Sequence, residues 1–177
     1  MNSATLMTWA NALTAIRLLT IVPLCGAILS TDWLLAAGLF TVAALTDYFD
    51  GPLARRFGQS SAVGRFIDHA SDALFVTAAC TTLACSGHIN NVLPFLIPTA
   101  FLQYMIDSRV FQGRALRPNP LGRWNGITYY VLPGIVIGAH LLHIEHLLMP
   151  VAAALAWLLV ISTMVSMGLR AQAYFRI

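Results

Sequence analysis

Four of the chain's 7 acidic residues are concentrated between Asp47 and Asp72. Asp47 and Asp50 are three residues apart and Asp68 and Asp72 are four apart, so each pair shares one face of a helix. The flanking residues are too apolar for a soluble surface, and carboxylates in such surroundings are costly unless something binds them. This acidic stretch therefore predicts a binding or catalytic site.

Carboxylates that converge at low dielectric need cations to neutralise them, or they take up protons. Oxygen ligands favour hard divalent cations, and four negative charges match two Mg²⁺ or Mn²⁺ ions. His69 is one position from Asp68 and is expected to point to a different face, which argues against zinc. Two such ions beside Arg55 indicate a diphosphate site. Small residues keep the seam between the helices open: Gly51, Ala54 and Gly64.

The composition is that of a membrane protein, with 58% hydrophobic and 10% charged residues. Apolar blocks of about 20 residues are long enough to cross a bilayer as helices. We predict an all-α integral membrane protein with one domain over residues 1–177 and six transmembrane helices in one bundle. The predicted spans are residues 11–29, 33–57, 61–85, 91–111, 121–142 and 146–170. The first is interpreted as a span rather than a cleaved signal, because Arg17 lies inside it.

All 10 basic residues are arginines, and the predicted spans place them on one side of the bundle. The connections near residues 30–32, 86–91 and 143–146 contain no arginine. Arg17, at the start of the first span, is counted with the arginines of the opposite side. By the positive-inside rule the arginine side is cytoplasmic. We therefore expect a multi-pass inner (cell) membrane protein with both termini in the cytoplasm. The acids lie at the cytoplasmic end of helices 2 and 3, which form an antiparallel hairpin.

The acidic stretch resembles the signature of the CDP-alcohol phosphotransferase family, with every fixed position and gap matched: Asp47-x2-Asp50-Gly51-x2-Ala54-Arg55-x8-Gly64-x3-Asp68-x3-Asp72. The resemblance implies an enzyme that transfers the phosphatidyl group of CDP-diacylglycerol to an alcohol and releases CMP, usually as a homodimer. It also implies that Asp47, Asp50 and Asp68 are metal ligands. Asp72 would be the base that deprotonates the acceptor, with a possible metal contact. The residues assigned to the nucleotide are Gly51, Ala54, Arg55, Gly64, Asn11 and Thr14.

The acceptor alcohol is less clearly indicated. The first span is similar to that of phosphatidylglycerophosphate synthases and the related cardiolipin synthases: Asn11-x-Leu13-Thr14-x2-Arg17-x5-Pro23. This similarity favours glycerol 3-phosphate as the acceptor. Four arginines could hold its phosphate: Arg109, Arg114, Arg117 and Arg123. The same arginines could instead contact lipid head groups. Ile106 precedes Asp107 where an Arg–acid pair is common in phosphatidylglycerophosphate synthases. Phosphatidylglycerol and inositol phosphate therefore remain alternative acceptors.

One other function would also use the acids, and the sequence offers a second candidate site away from them. A cation transporter would also use embedded carboxylates, but it needs polar residues that continue to the far side, and the far halves of helices 2 and 3 are largely apolar. The sequence also offers a second candidate metal site: His140, His143, His146 and Glu145. Because these residues lie at the opposite membrane face from the acids, interfacial polar residues are the favoured interpretation.

Overall fold

A computed structural model of the chain describes residues 9–56, 62–107 and 120–175, with side chains over residues 14–48, 66–106 and 120–173. Within these ranges the fold consists of six helices and contains no strand. The helices are α1 (Trp9–Leu29), α2 (Trp33–Arg56), α3 (Ala62–Cys85), α4 (Leu93–Asp107), α5 (Pro120–Leu141) and α6 (Glu145–Phe175). The prediction of six helices is confirmed, and α6 extends past the predicted end at residue 170.

The three arginine-free connections end the preceding helix in the same way. In each, one residue has a positive φ: Thr31 at 58°, Gly87 at 77° and His143 at 55°. The next amide then donates back to a carbonyl in the last turn, at 2.9 Å in each case: Asp32 to Ala27, His88 to Leu83 and Ile144 to Ala139. This is a Schellman ending, which satisfies carbonyls that a helix end leaves unpaired. The chain reverses sharply at each connection.

Aromatic and imidazole side chains join these connections at one end of the bundle. The rings of Trp33 and His140 stack with centroids 4.1 Å apart, and His88 packs edge-on against both. His140 Nδ1 lies 3.3 Å from Glu145 Oε1, and His140 Nε2 lies 3.4 Å from His88 Nδ1. The favoured interpretation of this region as polar residues at the end of the bundle fits these contacts. The contacts link the start of α2, the α3–α4 connection, the end of α5 and the start of α6.

The interior and much of the exterior of the bundle are both apolar. Leu24, Phe75 and Leu132 are among the fully buried side chains that form the core. Large apolar side chains are also exposed on the outside, with Val22 78% and Phe95 75% accessible. A soluble protein rarely exposes large contiguous apolar surfaces of this kind.

One helix in the described ranges is long and apolar enough to cross a membrane, judged by length and composition. It is Glu145–Ala173 within α6, with a mean hydropathy of 2.2. Thr14–Leu29, Trp33–Tyr48 and Leu93–Ile106 are apolar but shorter. The apolar part of α2 stops just beyond the first acid, because charged residues occupy the rest of that helix. The finding thus establishes one candidate span, whereas the sequence predicts six.

Candidate active site

Three acids of the predicted site have described side chains, and the fold brings them together at the end of α2 and α3 away from the Schellman connections. Asp47 extends from α2, and Asp68 and Asp72 extend from successive turns of α3. Each places its Oδ1 atom against the same guanidinium group, that of Arg17 on α1. The carboxylate side chains retain partial access to solvent, at 40%, 31% and 22% respectively. The three acids can therefore act on a common ligand.

Arg17 is the centre of this cluster and is completely buried. Its Nη2 lies 3.2 Å from Asp47 Oδ1. Its Nη1 lies 3.3 Å from Asp68 Oδ1, donates to Ser71 Oγ at 3.0 Å and also pairs closely with Asp72 Oδ1. A planar guanidinium can serve several acceptors in this way because its donors point in fixed, divergent directions. The arginine therefore ties α1 to the acids of both α2 and α3.

Arg17, which the sequence pattern groups with the arginines that predict membrane orientation, binds the acids and does not face the surface. Its side chain lies among the carboxylates and is fully buried, so it does not belong to the exposed set of arginines that the positive-inside rule counts. The sequence did contain a signal, because Arg17 lies between Ile16 and Leu18 in the middle of an apolar helix. A charged residue in such a position generally has a charged partner.

Tyr130 is a second residue of the cluster that the sequence analysis did not identify. Its hydroxyl donates to Asp72 Oδ1 at 3.1 Å, and its ring stacks on Phe75 with centroids 5.6 Å apart and planes inclined by 16°. Phe75 lies one turn beyond Asp72 on α3 and is 1% exposed. No local pattern marks Tyr130, because α5 reaches α3 only through the tertiary packing of the bundle.

His69 lies closer to the acids than predicted. One ligand atom from each of Asp68, His69 and Asp72 can be chosen so that all three atoms lie within 4.8 Å of one another. The expectation that His69 points away is therefore wrong. Adjacent positions on a helix differ by about 100° in direction, but an imidazole is long enough to reach back toward a neighbouring carboxylate. His69 remains exposed to solvent.

A cavity of about 440 Å³ opens beside the cluster, between α3, α4, α5 and α6. Asp47, Asp68 and Asp72 line it. Two arginines, Arg123 at the start of α5 and Arg170 near the end of α6, line it as well. The guanidinium carbon of Arg170 lies 4.6 Å from the ring centroid of Tyr104, a cation–π contact. The cavity therefore contains both carboxylates and two arginines, whose positive charges can bind an anionic ligand.

The remaining predicted site residues are only partly described. Thr14 is buried on α1, three residues before Arg17. Helical backbone is described at the other positions assigned to metal or nucleotide, but their side chains lie outside the described residues: Asn11, Asp50, Gly51, Ala54, Arg55 and Gly64. Arg109, Arg114 and Arg117 lie wholly outside the described ranges. Of the four predicted acceptor arginines, Arg123 is thus the one placed at the cavity.

The donor chemistry of the cluster fits a divalent cation. Three carboxylates already converge on one cation, Arg17, and the exposed imidazole of His69 lies beside two of them. Carboxylate oxygens are the ligands that Mg²⁺ and Mn²⁺ prefer. The partial exposure of all three acids also leaves room for an ion to reach them. The described residues thus form a possible acidic metal site.

The chain belongs to the CDP-alcohol phosphatidyltransferase family. The model of that family matches residues 7–166 of the 177-residue chain. The matched region includes the acids of α2 and α3, Arg17 on α1 and all of α5. The resemblance inferred from the spacing of the acids is therefore confirmed, and the family is one of transferases in phospholipid synthesis.

Relatives with similar sequences carry the name CDP-diacylglycerol–glycerol-3-phosphate 3-phosphatidyltransferase. The chain is 52% identical over 44 residues to the protein of that name from Escherichia coli strain K12, covering 25% of this chain and 24% of the relative. It is 39% identical over 51 residues to the one from Blochmanniella floridana, covering 29% and 27%. The match thus spans about a quarter of the length of these curated relatives.

Proposed function

We propose that this protein transfers the phosphatidyl group of CDP-diacylglycerol to an alcohol and releases CMP. The observation that carries the proposal is the convergence of three signature acids, Asp47, Asp68 and Asp72, at a cavity that also contains Arg123 and Arg170. Family membership supplies the reaction class. The carboxylates match the need for metal and base, and the arginines match the need to hold phosphate.

Each acid then has a role in the transfer. Asp47, Asp50 and Asp68 would hold divalent ions, Mg²⁺ or Mn²⁺, with Asp72 as a further contact. Metal held there would supply positive charge to polarise the diphosphate and to neutralise the charge that develops on the leaving phosphate. Asp72 accepts the proton of the acceptor hydroxyl. The hydroxyl oxygen forms a bond to the phosphorus of the phosphatidyl group, the bond from that phosphorus to CMP breaks, and CMP leaves.

The nucleotide is assigned to the acidic stretch itself. Gly51, Ala54, Arg55 and Gly64 occupy the signature positions that would hold the cytidine diphosphate, with Asn11 and Thr14 on α1. Thr14 and Arg17 are three residues apart on one helix, so α1 would contribute both to the nucleotide and to the acids. This arrangement leaves the part of the cavity formed by α4, α5 and α6 for the acceptor.

Glycerol 3-phosphate is the acceptor that the molecule supports best. Its phosphate needs cations near the base, and Arg123 and Arg170 line the same cavity as Asp72. The names of the partial relatives agree with this choice. Arg109, Arg114 and Arg117 would add positive charge at the same end of the bundle. Phosphatidylglycerol and inositol phosphate also carry phosphate and are the competing acceptors.

We place all six helices across the inner membrane, within one domain over residues 1–177. The exposed apolar side chains support this, because lipid removes the cost of leaving Val22 or Phe95 outside the core. The acids and both termini would face the cytoplasm, where nucleotide and glycerol 3-phosphate are available. The proposed orientation does not depend on Arg17, since the sequence pattern alone predicts that the arginines of the two connections and of the C-terminus lie on that side. The active form would be a homodimer.

Cation transport receives no support from the described part of the bundle. Beyond Asp72, one face of α3 continues with the buried apolar side chains of Phe75, Ala79 and Leu83. A transport path needs polar groups or a water-filled cavity at each depth. The cavity beside the acids is instead lined by arginines of α5 and α6.

The test is CMP release by purified protein in detergent with CDP-diacylglycerol, Mg²⁺ and one acceptor at a time. Glycerol 3-phosphate should give release, with inositol phosphate, inositol, serine and phosphatidylglycerol as comparisons. Chelation should stop the reaction, and Mg²⁺ or Mn²⁺ should restore it. Asp72→Asn should abolish turnover but retain much of the nucleotide and metal binding. No release with any acceptor would refute the proposed function, and activity with another acceptor alone would refute the choice of glycerol 3-phosphate.

A further inference from the structure

Asp72 is held by donors from two other helices. Arg17 Nη1 and the hydroxyl of Tyr130 both donate to the same atom, Asp72 Oδ1. The two donors come from two different helices that both contact α3, because Arg17 lies on α1 and Tyr130 on α5. Neither of these donors engages Oδ2. A carboxylate held at one oxygen by two donors from different directions has little freedom to rotate.

The Tyr130 hydroxyl is itself held in place. The ring stacks on Phe75, which is buried and lies on the same helix as Asp72. The adjacent Tyr129 forms a hydrogen bond through its hydroxyl to Thr163 on α6 at 2.5 Å. This bond ties α5 to α6 and limits the rotation of α5. The position of the donor is therefore set by the core and does not depend on a flexible side chain.

We propose that Tyr130 is a positioning residue for Asp72, which acts with Arg17 to hold Oδ1 so that Oδ2 faces the acceptor hydroxyl. This inference rests on the proposed function, in which Asp72 is the base. A base must lie within hydrogen-bond reach of the proton it takes, and its efficiency falls when the carboxylate turns away. Tyr130 contributes alignment and does not contact the reacting atoms.

The deciding comparison is between Tyr130→Phe and Tyr129→Phe. Both changes remove one buried hydroxyl from α5 and keep the ring, but one hydroxyl serves Asp72 and the other serves Thr163. We expect Tyr130→Phe to lower kcat about 10- to 100-fold, the effect of losing one hydrogen bond to a charged group. The KM for CDP-diacylglycerol and the Mn²⁺ affinity should stay within about twofold of wild type, because Tyr130 holds neither. Tyr129→Phe should change thermal stability more than it changes kcat.

An infrared measurement tests the same contact without turnover. Removing the phenol donor should shift the carboxylate stretching band of Asp72, so the difference spectrum between wild type and Tyr130→Phe should contain that band. The band should vanish when both proteins also carry Asp72→Asn. A missing band, or a kcat within twofold of wild type for Tyr130→Phe, would overturn the inference. An equal loss of kcat in both tyrosine variants would also overturn it, since the effect would then be structural.

The two proposals fail in different ways. If wild-type protein releases no CMP with any acceptor, the proposed function is wrong and so is the base role assigned to Asp72. If wild type is active and Tyr130→Phe is equally active, the function stands and the positioning role is wrong. The infrared band reports on the contact between Tyr130 and Asp72 in either case.

Discussion

Replacing Arg17 with methionine should destabilise the protein and make its stability depend on divalent cations. The substitution keeps an unbranched apolar side chain but removes the buried cation that contacts Asp47, Asp68 and Asp72. Removing one member of a buried ion pair costs about 3–5 kcal/mol, because the partner charges stay behind uncompensated. The acids are 40%, 31% and 22% exposed, so water can partly replace the arginine. The expected loss is therefore about 3 kcal/mol, at the lower end of the range.

Such a loss lowers the melting temperature by about 6–12 °C in a protein of this size. The assay is thermal unfolding followed by tryptophan fluorescence, in chelator and again with Mg²⁺ or Mn²⁺. Added ions should stabilise Arg17→Met more than wild type, because a divalent ion replaces the missing counter-charge. Arg17→Lys should be intermediate, since one ammonium group cannot reach three carboxylates in the directions a guanidinium does.

Thr82→Val is the control for the loss of a buried polar group away from the acids. Thr82 is buried on α3 far from the acids, and its hydroxyl bonds only locally, to the carbonyl of Ala78. This variant should show the same stabilisation by metal as wild type. A melting temperature for Arg17→Met within about 2 °C of wild type in chelator would refute the reasoning. So would an equal response to metal in Arg17→Met and wild type.

Three further predictions address the acceptor, the far end of the bundle and the topology. Arg123→Gln and Arg170→Gln should each raise the KM for glycerol 3-phosphate about tenfold or more, because each removes about one charge-assisted hydrogen bond. An equal rise in the KM for CDP-diacylglycerol would contradict the assignment of these residues to the acceptor. Burial and the charge of His140 lower the pKa of His88 below its ordinary value of 6.5. The unfolded chain therefore binds that proton more readily, so stability should fall as the pH drops below about 6.5. His88→Gln should weaken this pH dependence of the melting temperature, and an unchanged slope would count against the assignment to His88. For topology, an impermeant maleimide added outside intact cells should label the exposed Cys85 at the end of α3. It should not label Gln172→Cys near the end of α6 in a Cys85→Ser background, and the reverse pattern would invert the proposed orientation.

The sequence predicted the helices well because their ends carry local signals. The apolar blocks stop at short polar connections, and Thr31, Gly87 and His143 end three of the helices there. Only the glycine among these three is a usual choice for a positive φ, so the other two endings follow from the length of the apolar blocks rather than from turn chemistry. The acids were predicted for a similar local reason. Asp68 and Asp72 lie four residues apart on one helix. Asp47 meets them because α2 and α3 both pack against α1, which places the three acids around Arg17.

The contributions of α1 and α5 could not be predicted in the same way. Arg17 and Tyr130 lie far along the chain from Asp72, and their contacts depend on which helices pack together in the bundle. The positive-inside rule also drew attention away from Arg17, since it treats arginines as equivalent and does not separate a buried one from those on the surface. Spacing within one helix identifies residues that share a face. It does not identify the residue of another helix that packs against that face.

The position of Arg17 explains how an acidic cluster can persist in apolar surroundings before any ligand binds. Three carboxylates without a cation would repel one another or take up protons, and either outcome would disturb the packing of α2 and α3 against α1. Arg17 supplies one positive charge from within the chain and leaves a net charge of about −2 on the described groups when all are ionised, which one divalent ion would balance. The carboxylates are thus held near their working positions by the fold itself. Because the arginine is buried while the acids remain partly exposed, an ion and a diphosphate can approach from the cavity side without unpacking α1.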